Sequence, residues 1–213
     1  MAYTTINKST DYFNTKLYTG NGSTQNITGV GHQVDWTWIK HRTDTEGHAL
    51  FDVLRGALDR VQTNSTNASS SQAGTVTAFG SDGFSLGNNA EVNANNGSYV
   101  SWNWKANGAG SANTDGSINT TATSANTTSG FSISTYTGTG ANASIGTGLG
   151  AIPHMAIFKR TDTSGFNWFV YHRSLGAGKF IILDTTGAEQ SSTSIWQNTT
   201  PTSSVITLGG DGG

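Results

Sequence analysis

The sequence predicts an all-β protein, and three observations point to this class. Ser, Thr, Asn and Gly make up about half of the 213 residues, and all four are poor helix formers. Apolar residues recur at every second position in several segments, as they do in half-buried strands. Clusters of Gly and Asn, which are typical of turns, separate these segments. We therefore predict antiparallel sheets with one polar face, in a β-sandwich of the jelly-roll, concanavalin A-like type.

Two segments show the alternation most clearly. In VDWTWIKH, residues Val34, Trp36 and Trp38 fall on one face of the predicted strand. In SYVSWNW, residues Trp102 and Trp104 share a face in the same way. Because successive side chains of a strand point to opposite faces, both segments read as strands rather than helices.

One segment has helical spacing instead. Leu50, Leu54 and Leu58 recur every four residues within HALFDVLRGALDRVQ, which taken alone favours an amphipathic helix. The matching segment later in the chain, FNWFVYHRSLGAGKFIILD, alternates and contains a Gly-rich turn. Since two copies of one fold share their element types, we predict strands over Ala49–Arg55 and Leu58–Gln62.

An internal repeat divides the chain into halves. The segment FNTKLYTGNG at 13–22 matches FSISTYTGTG at 131–140. The run Arg-Thr-Asp-Thr-x-Gly occurs at 42–47 and again at 160–165, an offset of 118 residues. We therefore predict two tandem copies of one β-sandwich. A single larger sandwich assembled from both halves is the alternative.

The repeat sets the predicted domain boundaries. Residues 1–105 form the first copy and 114–213 the second. Between them, residues 106–113 (ANGAGSAN) have the composition of a flexible linker. The first copy ends in the alternating strand Tyr99–Lys105, which has no counterpart in the second copy. Either another element fills that position, or the sequence is part of a longer polypeptide.

Composition excludes several classes of function. Only 11% of residues are charged, against about 25% in an ordinary domain. The net charge of −2 gives no positive electrostatic potential to attract the phosphate groups of nucleic acids, so we expect no nucleic-acid binding. There is no Cys, which removes disulfides and thiolate chemistry. The apolar stretches are too short to span a bilayer, so no membrane insertion is expected.

The residues that carry catalysis are dispersed. The five His are scattered along the sequence, and we expect no Gly-x-Ser-x-Gly motif at a strand–helix junction. The 13 acidic residues occur singly, without the paired carboxylates that glycoside hydrolysis requires. We therefore predict that the protein is not an enzyme and has no cofactor.

Three aspartates are candidates for a calcium site, because Ca²⁺ prefers carboxylate and carbonyl oxygens in loops. Asp44 and Asp162 occupy matched positions in TDTEG and TDTSG, and Asp82 lies in GSDG. One Asp per loop is too few for a site, and such sequences are typical of turns. We favour the turn interpretation and keep calcium as the alternative.

Tryptophan side chains are the candidates for binding sugars, since an indole has a flat apolar face and one polar atom. Trp196 lies in the loop-like segment SIWQNTT and is the predicted glycan contact. For the remaining five tryptophans we predict a role in the core, because most Trp on such strands are buried.

Several blocks together resemble proteins of marine tailed phages. These blocks are AYTTINKSTDYFNTKLYTGNGSTQNITGVG, VDWTWIKHRTD, AFGSDGFSLGNNAEVN, SYVSWNWKANG, GFSISTYTGTG and IGTGLGAIPHMAIFKR. The proteins they resemble are similar to virion appendage or tail-fibre proteins with concanavalin A-like (LamG-like) jelly-roll repeats. The resemblance covers essentially the whole chain, and it supplies no catalytic residues.

The resemblance implies a structural protein of a tailed-phage virion, either a tail fibre or another external appendage that attaches to the host surface. It also implies a location in the virion, assembled in the bacterial cytoplasm, where disulfides are rare. The implied partners are further copies of the chain, with a trimer as first guess, other virion proteins and host-surface glycans. Two alternatives remain: a lectin-like adhesion module that binds glycans, and a capsid-decorating head fibre without a receptor role.

Overall fold

A computed structural model describes residues 6–210, which form two compact units. Unit 1 contains the described residues up to Thr63 together with Ser69–Gly108, and unit 2 contains Asn64–Ala68 together with the described residues from Ala109 onward. All strand pairs within the sheets are antiparallel. The predicted all-β class with antiparallel sheets is confirmed.

Unit 1 has nine strands in two sheets. The strands are β1 (Phe13–Thr19), β2 (Gln25–Ile27), β3 (Trp36–His41), β4 (His48–Asp52), β5 (Gly56–Gln62), β6 (Ser70–Ser71), β7 (Val76–Gly80), β8 (Gly83–Leu86) and β9 (Ser98–Trp104). One sheet has the order β1-β9-β3-β4-β5-β6 and the other β2-β8-β7. Among the described residues of this unit, the helical elements are a 3₁₀ turn, Ser9–Asp11, and α1, Ala90–Asn93. Within residues 6–210, no helix is long and apolar enough to cross a membrane.

The core of unit 1 lies between its two sheets. The six-stranded sheet contributes Ile39, Phe51 and Tyr99, and the three-stranded sheet contributes Val76 and Leu86. Each of these side chains is at most 1% exposed. Because both sheets bury one face in a common core, unit 1 is β-sandwich-like.

The segment with helical spacing is a strand pair, because a buried aspartate forms the turn between β4 and β5. The Asp52 carboxylate accepts hydrogen bonds from the backbone N–H groups of Leu54 (3.0 Å) and Arg55 (2.9 Å). The same carboxylate forms an ion pair with Arg55 Nε at 2.6 Å. Gly56 follows with φ of +112°, a conformation that a side chain disfavours. The predicted strand pair is therefore present, but the turn over 53–55 ends β4 at Asp52 instead of Arg55, and β5 begins at Gly56 instead of Leu58.

Unit 2 has eight strands in three sheets. The strands are β10 (Ala122–Asn126), β11 (Phe131–Thr135), β12 (Ala143–Gly146), β13 (Met155–Phe158), β14 (Phe169–His172), β15 (Lys179–Ile182), β16 (Gln190–Ser191) and β17 (Val205–Leu208). The sheet orders are β13-β14-β15-β16, β12-β17 and β10-β11. Tyr171, Phe180, Trp196, Ile206 and Leu208 form the centre of its core.

A short excursion of the chain, Asn64–Ala68, belongs to unit 2 although it lies between β5 and β6 in sequence. The Ser65 carbonyl accepts a hydrogen bond from Trp168 Nε1 at 3.1 Å, and the Thr66 carbonyl accepts one from Gly165 N at 2.9 Å. The predicted boundaries, which are contiguous in sequence, do not include this excursion.

After the excursion the chain returns to unit 1, and it passes finally into unit 2 between Gly108 and Ala109, inside the segment 106–113. The two ends of this segment are held by specific hydrogen bonds. Ala106 N donates to the buried Asp35 carboxylate at 2.7 Å in unit 1. In unit 2, Ser111 forms an isolated antiparallel bridge with Thr123.

We expect Asp52→Ala to lower the free energy of unfolding by about 3–5 kcal/mol, because it leaves Arg55 with an uncompensated buried charge. The side chains of this pair are only 5% and 12% exposed. Asp11→Ala is the matched control, since Asp11 also pairs with a cation three residues away, Lys8, but at 50% exposure. The control should cost less than about 1 kcal/mol. Urea unfolding followed by tryptophan fluorescence measures both, and equal losses would contradict the burial argument.

Candidate functional site

The candidate site is a band of four tryptophans on one face of the six-stranded sheet, here called the tryptophan face. It consists of Trp36 and Trp38 on β3 and of Trp102 and Trp104 on β9. All four indoles are half-buried, and they lie on the face opposite the core. Antiparallel pairing places Trp36 opposite Trp104 and Trp38 opposite Trp102, so the four rings form one contiguous surface.

The rings of the tryptophan face contact one another at an angle. The centroids of Trp36 and Trp104 are 4.5 Å apart with an interplanar angle of 83°, and those of Trp38 and Trp102 are 5.8 Å apart with an angle of 58°. Phe13 on β1 extends the band beyond Trp104, with centroids 4.6 Å apart. These are the tilted and edge-to-face geometries that aromatic pairs prefer. The rings therefore hold one another in place as a stepped apolar surface.

Buried polar groups on the opposite side of the same strands keep the tryptophans on this face. Thr37 Oγ1 donates to Asn103 Oδ1 at 2.8 Å, and Asn103 Nδ2 donates to Ser101 Oγ at 3.0 Å and to the Asn14 carbonyl at 3.1 Å. Thr37, Ser101 and Asn103 are all fully buried. Since buried polar groups are costly unless hydrogen-bonded, this network favours one register and one facing for β3 and β9.

Polar side chains border the tryptophan face. His48 lies beside Trp38, with ring centroids 5.9 Å apart. Burial, and then the nearby Lys40 ammonium, lower the pKa of His48 below its ordinary value, so the imidazole favours its neutral form at neutral pH. Thr15 lies opposite Trp102 on the other side, on β1. Apolar rings flanked by hydroxyl, imidazole and ammonium groups suit a ligand that is itself both apolar and rich in hydroxyls.

The structure corrects the expectation for Trp196. Its indole is 1% exposed, and its Nε1 donates to the Lys179 carbonyl at 3.1 Å. Phe158 and Tyr171 pack against the ring at centroid distances of 5.3 and 6.0 Å. A side chain enclosed in this way cannot stack on a sugar, so Trp196 is a core residue. Its position outside the strands suggested exposure, but the turn that carries it folds over the core of unit 2.

The prediction of core positions for the other tryptophans is wrong for four of them, because β3 and β9 direct their indoles away from the core. Trp168 does lie in a buried position, at 5% exposure. The signal that could have identified the tryptophan face is the polar character of the alternate residues. Ser101 and Asn103 of β9 form hydrogen bonds across the inner face, while the two tryptophans of that strand point outward.

The three candidate calcium ligands take part in separate local interactions. The Asp44 carboxylate accepts a hydrogen bond from the backbone N–H of the next residue, Thr45, at 2.7 Å. Asp162 pairs with Arg160, whose hydrogen bond lowers the pKa of that carboxyl. Asp44 belongs to unit 1 and Asp162 to unit 2. The structure therefore does not bring them together as ligands within one unit.

Asp82 also has a structural role. Its carboxylate accepts from the backbone N–H groups of Gly31 (2.7 Å) and Gly29 (2.9 Å). These hydrogen bonds, that of Gly31 first, lower the pKa of Asp82. Asp82 therefore holds the chain after β2 against the turn between β7 and β8. Within the part of the chain that the structure describes, no three His, Asp or Glu side chains form a group that could hold a metal ion.

Comparison with known families identifies the family of the chain. Residues 8–213 match the model of a family described as a domain of unknown function, DUF7483. The chain belongs to the DUF7483 family. No curated protein and no solved structure matches it. In this DUF7483 chain, the aromatic side chains of the two cores are structural, and those of the tryptophan face are directed outward.

We expect Trp196→Ala to lower the free energy of unfolding by about 3–5 kcal/mol, the usual cost of removing a large aromatic side chain from a core. Trp102→Ala should cost clearly less, because the Trp102 indole is half-buried on the face opposite the core. Thermal and urea unfolding of the two variants measure the difference. A smaller loss for Trp196→Ala than for Trp102→Ala would contradict these assignments.

Proposed function

We propose that this DUF7483 chain is a non-catalytic structural protein of a tailed-phage virion, part of a tail fibre or another external appendage, and that its tryptophan face binds host-surface glycans. The observation that carries the binding function is the contiguous band of tryptophans opposite the core of unit 1. The assignment to a virion rests on the resemblance of the sequence blocks to phage appendage proteins.

The chemistry of the tryptophan face supports a sugar as ligand. A pyranose ring has an apolar face of C–H groups, which packs on an indole, and hydroxyls at its edge, which need hydrogen-bond partners. Trp38 and Trp102 supply the indoles, while Thr15, Lys40 and His48 supply the bordering polar groups. The indole combines a large apolar body with one polar N–H, which suits a ligand that has an apolar face and a hydrated polar edge.

The composition of the chain supports an external structural role. Its surface is rich in Ser, Thr, Asn and Gly, and only 11% of its residues are charged. Binding to polyanions is therefore disfavoured, whereas neutral hydroxyl-bearing ligands encounter no electrostatic barrier. Self-association into a trimer stays a prediction, and sedimentation equilibrium at several protein concentrations measures it.

We further infer that the two units are tandem copies of one jelly-roll sandwich. In unit 1, Gln25 of β2 pairs with Leu86 of β8. In unit 2, Ala143 of β12 pairs with Leu208 of β17, at positions 118 and 122 residues later. The order β3-β4-β5-β6 in unit 1 has the counterpart β13-β14-β15-β16 in unit 2. Equivalent strands with equivalent registers support a duplication, which the sequence repeat indicates independently.

A glycan array tests the binding function. We expect the wild-type chain to bind a subset of host-surface glycans, and Trp102→Ala to weaken that binding at least about tenfold, or about 1.4 kcal/mol. Phe166→Ala is the control, because Phe166 is an aromatic residue of unit 2 that is 40% exposed. The control should leave binding unchanged. Absence of binding in the wild type, or equal loss in both variants, would remove the glycan function.

Immunogold labelling of purified phage particles tests the virion assignment. We expect label on the tail or on another appendage, since the resemblance is to tail-fibre proteins. Label confined to the capsid surface would favour the head-fibre alternative instead. Particles without label would contradict both structural assignments, and a positive glycan array would then leave a lectin-like adhesion module.

A further inference from the structure

Strand β13 is an edge of the four-stranded sheet in unit 2. The His154 carbonyl, directly before β13, accepts from Arg173 N at 2.7 Å on the side of β14. Alternate residues of an antiparallel strand direct their backbone groups to opposite sides, so Met155 and Ile157 direct theirs away from β14. Within residues 6–210, no hydrogen bond joins these outward groups to another residue.

The side chains on this edge are apolar and exposed. Met155 is 52% exposed and Ile157 is 39% exposed. An exposed edge with apolar side chains is a ready template for pairing with a further strand. The edge therefore has both the backbone groups and the side chains that a docking strand requires.

Unit 1 shows what occupies the equivalent edge. The segment WTWIK at 36–40 corresponds to MAIFK at 155–159. In unit 1, Arg42 N donates to the Ser98 carbonyl at 2.7 Å, on the side of β9. By alternation, Trp36 and Trp38 direct their backbone groups to the same strand, and their register partners on β9 are Trp104 and Trp102. The edge that is open in β13 is thus covered by β9 in β3.

Strand β11 has a matching open edge. Thr123 of β10 exchanges both backbone hydrogen bonds with Ser111, so its backbone groups point away from β11. The backbone groups of its register partner Ser134 therefore point away from β10, and by alternation those of Ser132 do so as well. Among the described residues, no backbone hydrogen bond reaches either serine on that side.

The counterpart of β11 in unit 1 is β1, which lies 118 residues earlier. There the Tyr12 carbonyl accepts from Lys105 N at 2.8 Å, on the side of β9. By alternation, Asn14 and Lys16 direct their backbone groups to the same strand, in register with Asn103 and Ser101. Both strands that flank β9 in unit 1 therefore have counterparts in unit 2 with the corresponding edge unpaired.

We propose that unit 2 accepts an additional antiparallel strand, which pairs with the open edges of β13 and β11, and that the occupant is a peptide segment with the alternation of β9. Such a segment, SYVSWNW in unit 1, carries large apolar side chains on one face and Tyr, Ser and Asn on the other. Its apolar face lies beside Met155 and Ile157, where cross-strand apolar pairs stabilise a sheet. The proposal rests on the tandem-copy part of the proposed function.

Backbone hydrogen bonds supply much of the affinity of an added strand, and the side-chain pattern supplies its specificity. The test therefore adds a synthetic peptide, Ser98–Lys105, to the full chain and follows amide hydrogen exchange. We expect the exchange of the Met155 and Ile157 amides to slow at least about tenfold. A peptide of the same composition with the alternation scrambled should leave both amides unchanged.

Two variants of the protein act as controls. Ile157→Pro removes an outward N–H and no hydrogen bond to β14, a change that edge strands tolerate, and it should abolish the effect of the peptide on the Met155 amide. Ile157→Lys places a charge on the same edge and should weaken the effect without removing a backbone donor. Unchanged protection in both variants would overturn the proposal, because the peptide would then be bound elsewhere.

Three further results separate the alternatives. No slowing at Met155 and Ile157 with the β9 peptide overturns the additional strand. Slowing that depends on protein concentration without peptide also overturns it, because the occupant is then a second copy of the chain. The amides of Ile145 and Ile206, which lie in the ladder between β12 and β17, report on the tandem-copy interpretation. If they are unprotected that interpretation fails, and if they are protected while the edge is unaffected only the docking proposal fails.

Discussion

The insertion of β9 between β1 and β3 is the constraint on which the rest of unit 1 depends. The last strand of the unit in sequence pairs with its first strand along seven residues and with β3 along six. This pairing joins residues at least 58 positions apart and places β9 inside the sheet. Because Trp102 and Trp104 reach Trp36 and Trp38 only through it, the tryptophan face exists as a continuous surface only when β9 is in place.

The interior side of the same three strands explains why this arrangement is specific. Asn103, Ser101 and Thr37 are fully buried and hydrogen-bonded to one another. A shift of β9 by one residue would break these hydrogen bonds and would turn its tryptophans toward the core. Apolar burial between the sheets stabilises the fold as a whole, whereas the polar network selects the register. The outward direction of the indoles follows from that selection.

In unit 2, strands β11 and β13 each lie at the end of a sheet and have no partner of the β9 kind among the described residues. Edge strands of soluble proteins are commonly protected by charges, prolines or bulges. Here β13 has the sequence MAIF, without a charge or a proline. The low overall charge of the chain, which suits a neutral ligand at the tryptophan face, leaves this edge unprotected as well. One compositional property therefore bears on both surfaces that we propose to be functional.

The sequence by itself determined the all-β class, because poor helix formers, period-two alternation and Gly-rich turns act locally. It also determined that Trp36 and Trp38 share a face, and the repeat identified β4 and β5 as strands despite their helical leucine spacing. These inferences need only the geometry of a strand and the comparison of two matching segments.

Only the tertiary structure decided which face of each strand is buried. Alternation fixes which residues lie together, but the choice of face depends on where the second sheet packs and on which polar groups find partners across strands. For this reason Trp196, which follows no alternating pattern, lies in a core, while the tryptophans of β3 and β9 lie outside one. The excursion Asn64–Ala68 could not be predicted from the sequence either, since its hydrogen bonds join residues about 100 positions apart. Long-range pairing is a property of the folded chain, and no local pattern of residues encodes it.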